Sequence, residues 1–162
     1  MKLHRTLTSL LPVFFVFFLA VNAFGIVLLS ISGSWSLIID VGSLQGPAGS
    51  DLKPSYESAT NQILATISNV SYRYWHVDVR KVDTLWNTNL NLYVKRTGNG
   101  TGSGSISGGT SYILLTSTDQ AFFSGYRNRT SIPLQLKIDG VSVQIPPNTY
   151  ITTIYYTAVD GL

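Results

Sequence analysis

The chain has 162 residues, no cysteine, two histidines, 12% charged residues and a net charge of +3. The lack of cysteine excludes a disulfide framework, thiolate metal sites and a thiol nucleophile. Lys and Arg never exceed two in a row, so the basic patch of a nucleic-acid binder is missing as well.

Lys2, His4 and Arg5 open the chain, and no charge occurs from Leu7 to Ile31, where Phe14, Phe15, Phe17 and Phe18 sit mid-run. A basic cluster, an apolar run and the small residues of Val21-Asn22-Ala23 are the parts of a secretory signal. A second cut site lies at Ser32-Gly33-Ser34. The run is also long enough to span a bilayer, which takes about 20 residues. With Lys2 and Arg5 inside, such an anchor would leave the rest of the chain outside. Residues 1–33 are therefore read as a signal peptide or an N-terminal membrane anchor, with membrane contact only through residues 7–31 if uncut. Both readings predict a secreted or cell-envelope location outside the cytoplasm. Of the 11 basic residues Lys2 and Arg5 belong to this stretch, so nine remain against 8 acidic ones, a balance of +1.

Beyond the leader, apolar and polar residues alternate with period two, the mark of half-buried strands. Trp35, Leu37, Ile39 and Val41 share one face of the first, and turn residues fill Gly42–Pro54. A second strand covers Asn61–Ser68, with Ile63, Ala65 and Ile67 aligned; a short helix competes only over residues 57–66. In the third, Ser71–Val79, the residues Trp75, Val77 and Val79 point one way and Tyr72, Tyr74, His76 and Asp78 the other. A fourth spans Asn89–Arg96 with Leu90, Leu92 and Val94 inward. Gly98–Thr110 is nearly all Gly, Ser and Thr, which predicts a flexible loop. Strands resume at Ser111–Thr116, Gln120–Phe123 and Ile132–Ile138. Asp139-Gly140 predicts a tight hairpin turn into Val141–Ile145. Pro146-Pro147-Asn148 breaks that strand, and a long one from Thr149 to Val159 closes the chain. The expected fold is all-β: one antiparallel, immunoglobulin-like β-sandwich of about seven to nine strands over residues 34–162, with Trp75 in its core.

Little in this domain carries chemistry. His76 and Asp78 sit two apart on one strand face and read as a solvated pair. Asp78 and Asp83 are interleaved with Arg80 and Lys81, the pattern of ion pairs rather than of paired catalytic carboxylates. Gly98–Gly109 lacks the Lys-Ser/Thr ending of a phosphate loop. The expectation is a protein that is not an enzyme and takes no cofactor and no metal. Asn69, Asn99 and Asn128 open N-glycosylation sequons at expected turns. Tyr72, Tyr74, Trp86, Tyr93 and Tyr126 fall outside the expected core faces. Trp86, Tyr93 and Tyr126 are candidates for stacking on surface glycans; cross-strand pairing within the sheet is the other reading of such rings.

The segment Ile145-Pro146-Pro147-Asn148-Thr149-Tyr150, followed by a Thr-rich alternating strand, resembles the closing strand of immunoglobulin-like secreted subunits of the spore-coat-U and chaperone–usher pilin type. There a P-x-G-T-Y turn precedes the last strand; here Asn148 stands for the glycine, and the cysteine pair common in those subunits is missing. The resemblance spans residues 145–159 and implies a fold and assembly into fibres. The candidate subunit-contact strands contain Trp35, Leu37, Ile39 and Val41 at one end and Tyr150, Ile154 and Tyr156 at the other. The expected function is an exported non-enzymatic structural or adhesive protein of the cell envelope or extracellular matrix, with self-assembly into a filament by strand exchange as one form. The alternative is a carbohydrate- or surface-binding module using its exposed aromatics.

Overall fold

The computed structural model of the chain describes residues 26–47 and 49–161. The expected leader up to residue 25, including Val21-Asn22-Ala23, lies outside the described residues. Among the described residues, no helix is long and apolar enough to cross a membrane.

Among the described residues ten strands form: β1 (Leu28–Ser32), β2 (Ser55–Glu57), β3 (Ile63–Ser68), β4 (Tyr74–Leu85), β5 (Asn91–Arg96), β6 (Ile106–Gly108), β7 (Ile113–Leu114), β8 (Gln120–Tyr126), β9 (Arg129–Asp139) and β10 (Ile151–Asp160). A six-stranded sheet runs β1-β3-β9-β5-β7, with β2 also alongside β9, and a four-stranded sheet runs β10-β4-β8-β6. Every pairing is antiparallel. This is the antiparallel β-sandwich that the alternation predicts.

The pairings are nested. β3 pairs with β9, β4 with β8 and β5 with β7, leaving β6 at the tip. One long hairpin has rolled up so that β9 also meets β5 and β8 also meets β6. That is the strand order of a jelly roll, not the ABED and CFG sheets of an immunoglobulin domain. Alternation decides which face of a strand is buried but not which strand is its neighbour, so the finer expectation had no local signal behind it.

Inward residues are those the alternation selects: Ile63, Ala65 and Ile67; Trp75, Val77 and Val79; Leu92 and Val94; Ile132, Leu134, Leu136 and Ile138. Trp75 is 0% exposed. Its indole N–H donates to the Arg127 carbonyl at 2.8 Å, and Phe123 meets it edge-on with centroids 6.0 Å apart. Gly125 lies opposite on β8, where a Cβ would fall 2.4 Å from the Trp75 ring. Burying a tryptophan removes about 200 Å² from water, worth about 5 kcal/mol.

Three expectations need correction. The first strand is Leu28–Ser32, inside the stretch assigned to the leader, and not Trp35–Val41. β1 takes the free edge of β3 from Leu28↔Ser68 to Ser32↔Leu64. Gly33 then turns the chain away at φ 104°, where a Cβ would meet the Gln62 carbonyl oxygen at 2.2 Å. Residues 34–40 keep their alternation but find no ladder, and Val41–Ser43 form a 3-10 turn.

The Gly-rich stretch is not a loose loop. It contains β6 and the Thr101↔Thr130 bridge. Arg96 and Arg129, both on inward positions and nearly fully buried, hold it in place. Arg96 donates to the Gly108 and Gly98 carbonyls at 3.0 and 2.8 Å and to Asn99, and Arg129 donates to the Gly102 carbonyl at 2.7 Å. Burial, then the neighbouring Arg129 charge, lowers the Arg96 pKa below its ordinary value. Carbonyls rather than carboxylates receive these cations, and the buried Arg129 Nε–H is left without a hydrogen-bond partner. Gly104 is needed for the approach, since a Cβ there would overlap the Tyr126 carbonyl.

Finally, Asp139-Gly140 does not start a hairpin. The Val141 N–H donates to the Pro54 carbonyl at 3.1 Å, and residues 141–145 form turns instead of a strand.

Two substitutions test this packing. Gly125→Ala forces its new methyl into Trp75 and should cost about 1–3 kcal/mol in urea unfolding. Arg96→Ala strands several loop acceptors; it should cost about 2–4 kcal/mol and expose residues 98–110 to protease.

Candidate functional site

Where β1 ends and β10 begins, the two sheets flank a half-open cavity of about 1100 Å³. The inner faces of β3, β5 and β9 supply Ile63, Leu92, Leu136 and Ile138, and β10 supplies Ile154 and Tyr156. Trp35 and Leu37 come in from the segment after Gly33. Trp35 touches both apolar clusters of the core, and Leu37 packs on the smaller one around Leu90, Ile138 and Val141. Among the described residues, no charged side chain lines the cavity; its polar lining residues are Ser, Thr, Asn, Tyr and Trp.

The mouth is built by two ties. The Asp51 carboxylate accepts the backbone N–H of Val143 at 3.0 Å and of Leu52 at 2.8 Å, and Ser142 Oγ at 3.4 Å. These bonds, the one from Val143 foremost, hold its pKa below the usual carboxylate value. Tyr150 donates its hydroxyl to the Pro146 carbonyl at 2.7 Å and so closes the turn before β10. Deeper in, the Tyr156 hydroxyl is buried without a hydrogen-bond partner, and burial pushes its pKa above the ordinary phenol value.

Beside the cavity runs the outer edge of β10. This ten-residue strand pairs with β4 on one side only. It contains no Pro, Lys or Gly, and its one charge is the terminal Asp160. Edge strands are ordinarily blunted by such residues or by bulges; here the register with β4 shifts once, between Ile151 and Thr152. Across the cavity, residues 34–39 make no backbone-to-backbone hydrogen bond with any described residue.

The expected contact residues converge. Trp35, Leu37, Ile39, Tyr150, Ile154 and Tyr156 all line this one cavity, although they lie more than a hundred positions apart. Val41 belongs to the 3-10 turn, and its side chain is outside the described residues.

The glycan candidates do not converge. Trp86 is a cavity residue whose indole N–H is spent on the Leu90 carbonyl at 2.9 Å, with the Lys81 ammonium 5.3 Å above the ring. Tyr93 lies on the outer face of the six-stranded sheet, edge-on to Tyr112 at 6.5 Å and beneath Lys137 at 4.5 Å. Tyr126 lies on the outer face of the other sheet, 4.8 Å from Tyr74.

The sequon side chains are engaged. Asn69 donates to the Ile26 carbonyl at 2.9 Å, Asn128 accepts from the Val70 N–H at 2.8 Å, and Asn99 accepts from Arg96. His76 sits on an open sheet face, Nε2 3.7 Å from Asp78 and Nδ1 3.1 Å from the Gly161 carbonyl, with no hydroxyl bonded to it. Asp83 bonds Lys81 and Thr152. Among the described residues, no group of three or more His, Cys, Asp or Glu comes together.

Compared with protein-family models, with curated proteins and with solved structures, the chain matches none.

Two outcomes follow from the mouth and floor. A depressed carboxylate stabilises above its unfolded pKa and loses that contribution as pH falls through the folded one. The tie at Asp51 should therefore hold above about pH 4 and fail in more acid solution. In Asp51→Ala the Val143 amide should exchange about tenfold faster at neutral pH. Tyr156→Phe removes an unmet buried hydroxyl at constant shape and should raise the stability of the protein by about 1 kcal/mol.

Proposed function

We propose that the chain is an exported, non-enzymatic structural or adhesive subunit of the cell envelope or extracellular matrix, joined to further copies of itself by strand pairing along β10. The observation that carries this reading is the free edge of β10, ten residues without Pro, Lys or Gly and with its one register shift confined to the start, between Ile151 and Thr152. Such an edge offers a row of unmet N–H and C=O groups to an added strand.

The donor is the segment around Trp35–Ile39. It alternates, and it makes no backbone-to-backbone hydrogen bond with any described residue. In its own domain the segment forms no ladder, so pairing it along a neighbour's β10 adds backbone hydrogen bonds that the unexchanged chain lacks. Exchange of an identical element is a low-cost route between protomers, and a head-to-tail exchange that does not close on itself makes a filament. The glycan-binding alternative is weaker, because Trp86, Tyr93 and Tyr126 occupy three separate surfaces.

Export rests on the basic-then-apolar start of the chain. A cut after Ala23 leaves the sandwich whole, whereas a cut at Ser32-Gly33-Ser34 removes β1 from the edge of β3. Cleavage after Ala23 and retention as an uncut anchor both keep β1, and of the two cut sites this reading takes the one before Phe24.

Light scattering and negative-stain microscopy of protein harvested after export should find filaments, or oligomers that survive dilution. Monomers at every concentration would end this reading. Thr153→Lys with Thr157→Lys places two charges on the exposed face of β10; it should abolish assembly while moving the melting temperature by less than about 2 °C. Mass spectrometry of the exported chain should find Phe24 first, and a start at Trp35 would contradict the retained β1.

A further inference from the structure

We infer that the end of the sandwich holding Tyr72 and Arg127 lies against a lipid bilayer, with its tyrosines and Ile26 among the headgroups and the Arg127 guanidinium on lipid phosphate. The inference rests on the export half of the proposed function and not on assembly. Assembly uses the edge of β10, whereas this surface uses the start of the described chain and the connections from β3 to β4 and from β8 to β9.

Where the surface sits in the chain identifies its partner. Ile26, the first residue described, belongs to the uncharged run that starts at Leu7. Its carbonyl accepts from Asn69 Nδ2 at 2.9 Å, so the run joins the fold beside the connection from β3 to β4. An uncut run of that kind holds this end of the domain at the bilayer surface. A cut before Phe24 still leaves Phe24 and Gly25 ahead of Ile26. Ile26 is 83% exposed, and Leu28, opposite Ser68 at the start of β1, is 60% exposed.

The side chains at this end suit a headgroup layer. Tyr72 is 74% exposed and Tyr74 55%. Tyr126 lies 4.8 Å from Tyr74, and the Arg127 guanidinium lies 4.2 Å from the Tyr72 ring and 5.3 Å from the Tyr126 ring. A tyrosine has an apolar body and a polar tip, so it favours the boundary between hydrocarbon and water. A guanidinium takes phosphate oxygens through paired N–H donors. Among the described residues no carboxylate pairs with Arg127, and Asp160 at this end is taken by Arg73. A positive charge is therefore left for an anionic partner. Exposed aliphatic side chains beside the rings favour lipid over an acidic sugar, which has no use for Ile26 and Leu28.

The backbone supplies a second, independent observation. Tyr72 and Arg127 sit at φ 58° and 62°, in the left-handed region that bulky side chains seldom enter. Their connections are tied together: the Arg127 N–H donates to the Arg73 carbonyl at 3.1 Å, and the Val70 N–H to the Asn128 side-chain oxygen at 2.8 Å. Glycine would relieve both positions. Strain of this kind persists where the surroundings enforce it, and it gathers at functional sites. Here it keeps an exposed ring and an unpaired guanidinium side by side.

The test is flotation of the exported protein with vesicles of phosphatidylcholine, either alone or with about a third phosphatidylglycerol, with amide hydrogen exchange read on the same samples. Protein cut before Phe24 should float with the anionic vesicles at low salt and be released as salt is raised. A retained leader would carry the chain to any vesicle, and exchange then decides. In either case the amides of residues 69–74 and 126–128 should exchange more slowly on anionic vesicles than in solution. Arg127→Gln should weaken binding of the cut protein by about fivefold, the share of one basic residue at an anionic surface. Tyr72→Gly relieves its backbone, so it should melt within about 3 °C of the parent and yet lose the slowed exchange. That variant keeps the test open if Arg127→Gln does not fold. The inference is overturned by unchanged exchange at these residues on anionic vesicles or by slowing that Tyr72→Gly leaves intact. Binding of sodium alginate without binding of vesicles would overturn it in favour of an acidic polysaccharide. Protein that stays in the cytoplasm would end the export reading, whereas exchange on vesicles reads this surface by itself.

Discussion

The sandwich depends on the contact between Trp75 and Gly125. Trp75 lies on β4, the strand that joins β10 to β8, so its position sets the centre of the four-stranded sheet. The ring needs the space that a side chain on β8 would fill, and Gly125 leaves it open. The indole N–H also binds the Arg127 carbonyl, in the connection from β8 to β9. One side chain thus anchors the four-stranded sheet and the crossover into the six-stranded one. Aromatic bulk, a missing Cβ and one satisfied polar atom must coincide there, which makes the position intolerant of change.

The two ends of the sandwich are built on opposite principles. At the end holding Trp75, the inward arginines Arg96 and Arg129 would each be a buried cation in an apolar setting. Carbonyls of the Gly-rich stretch accept from both, leaving the Arg129 Nε–H without a hydrogen-bond partner, and its glycines let the backbone come close enough to do so. The absence of side chains, which made this stretch look unstructured, is what seals this end. At the other end no such plug exists. Residues 34–39 cover part of the opening with Trp35 and Leu37 but make no ladder, and the cavity remains.

That asymmetry concentrates the strand-pairing potential of the molecule in one place. The free edge of β10, the unpaired extended segment and the apolar cavity adjoin one another, and Ile154 and Tyr156 belong to both the strand and the cavity. The outer faces of the sheets are instead covered by internally paired groups: Tyr74 with Tyr126, Lys137 with Tyr93 and Asp139, Arg80 with Tyr155 and Asp119. These rings pair with neighbours on the sheet, yet Tyr74 and Tyr155 still keep 55% and 46% of their surface exposed. The edge and the cavity still stand out as places where the chain leaves polar or apolar demand unmet.

The order of side chains along the chain determined by itself which residues face inward. Period-two alternation is a local property, and it correctly placed Ile63, Ala65 and Ile67, Trp75, Val77 and Val79, and Ile132 through Ile138 on buried faces. It also marked both terminal segments whose residues meet in the cavity. Tertiary structure alone decided the partners. Trp35–Val41 alternates as well as any strand, but the edge of β3 was already taken by Leu28–Ser32, so the later segment was left without a ladder. The nested strand order, the inward turn of Arg96 and Arg129, and the cavity itself each depend on groups far apart in the chain coming within a few ångströms. Local patterning carries a residue's face, and only the closed fold sets its neighbour.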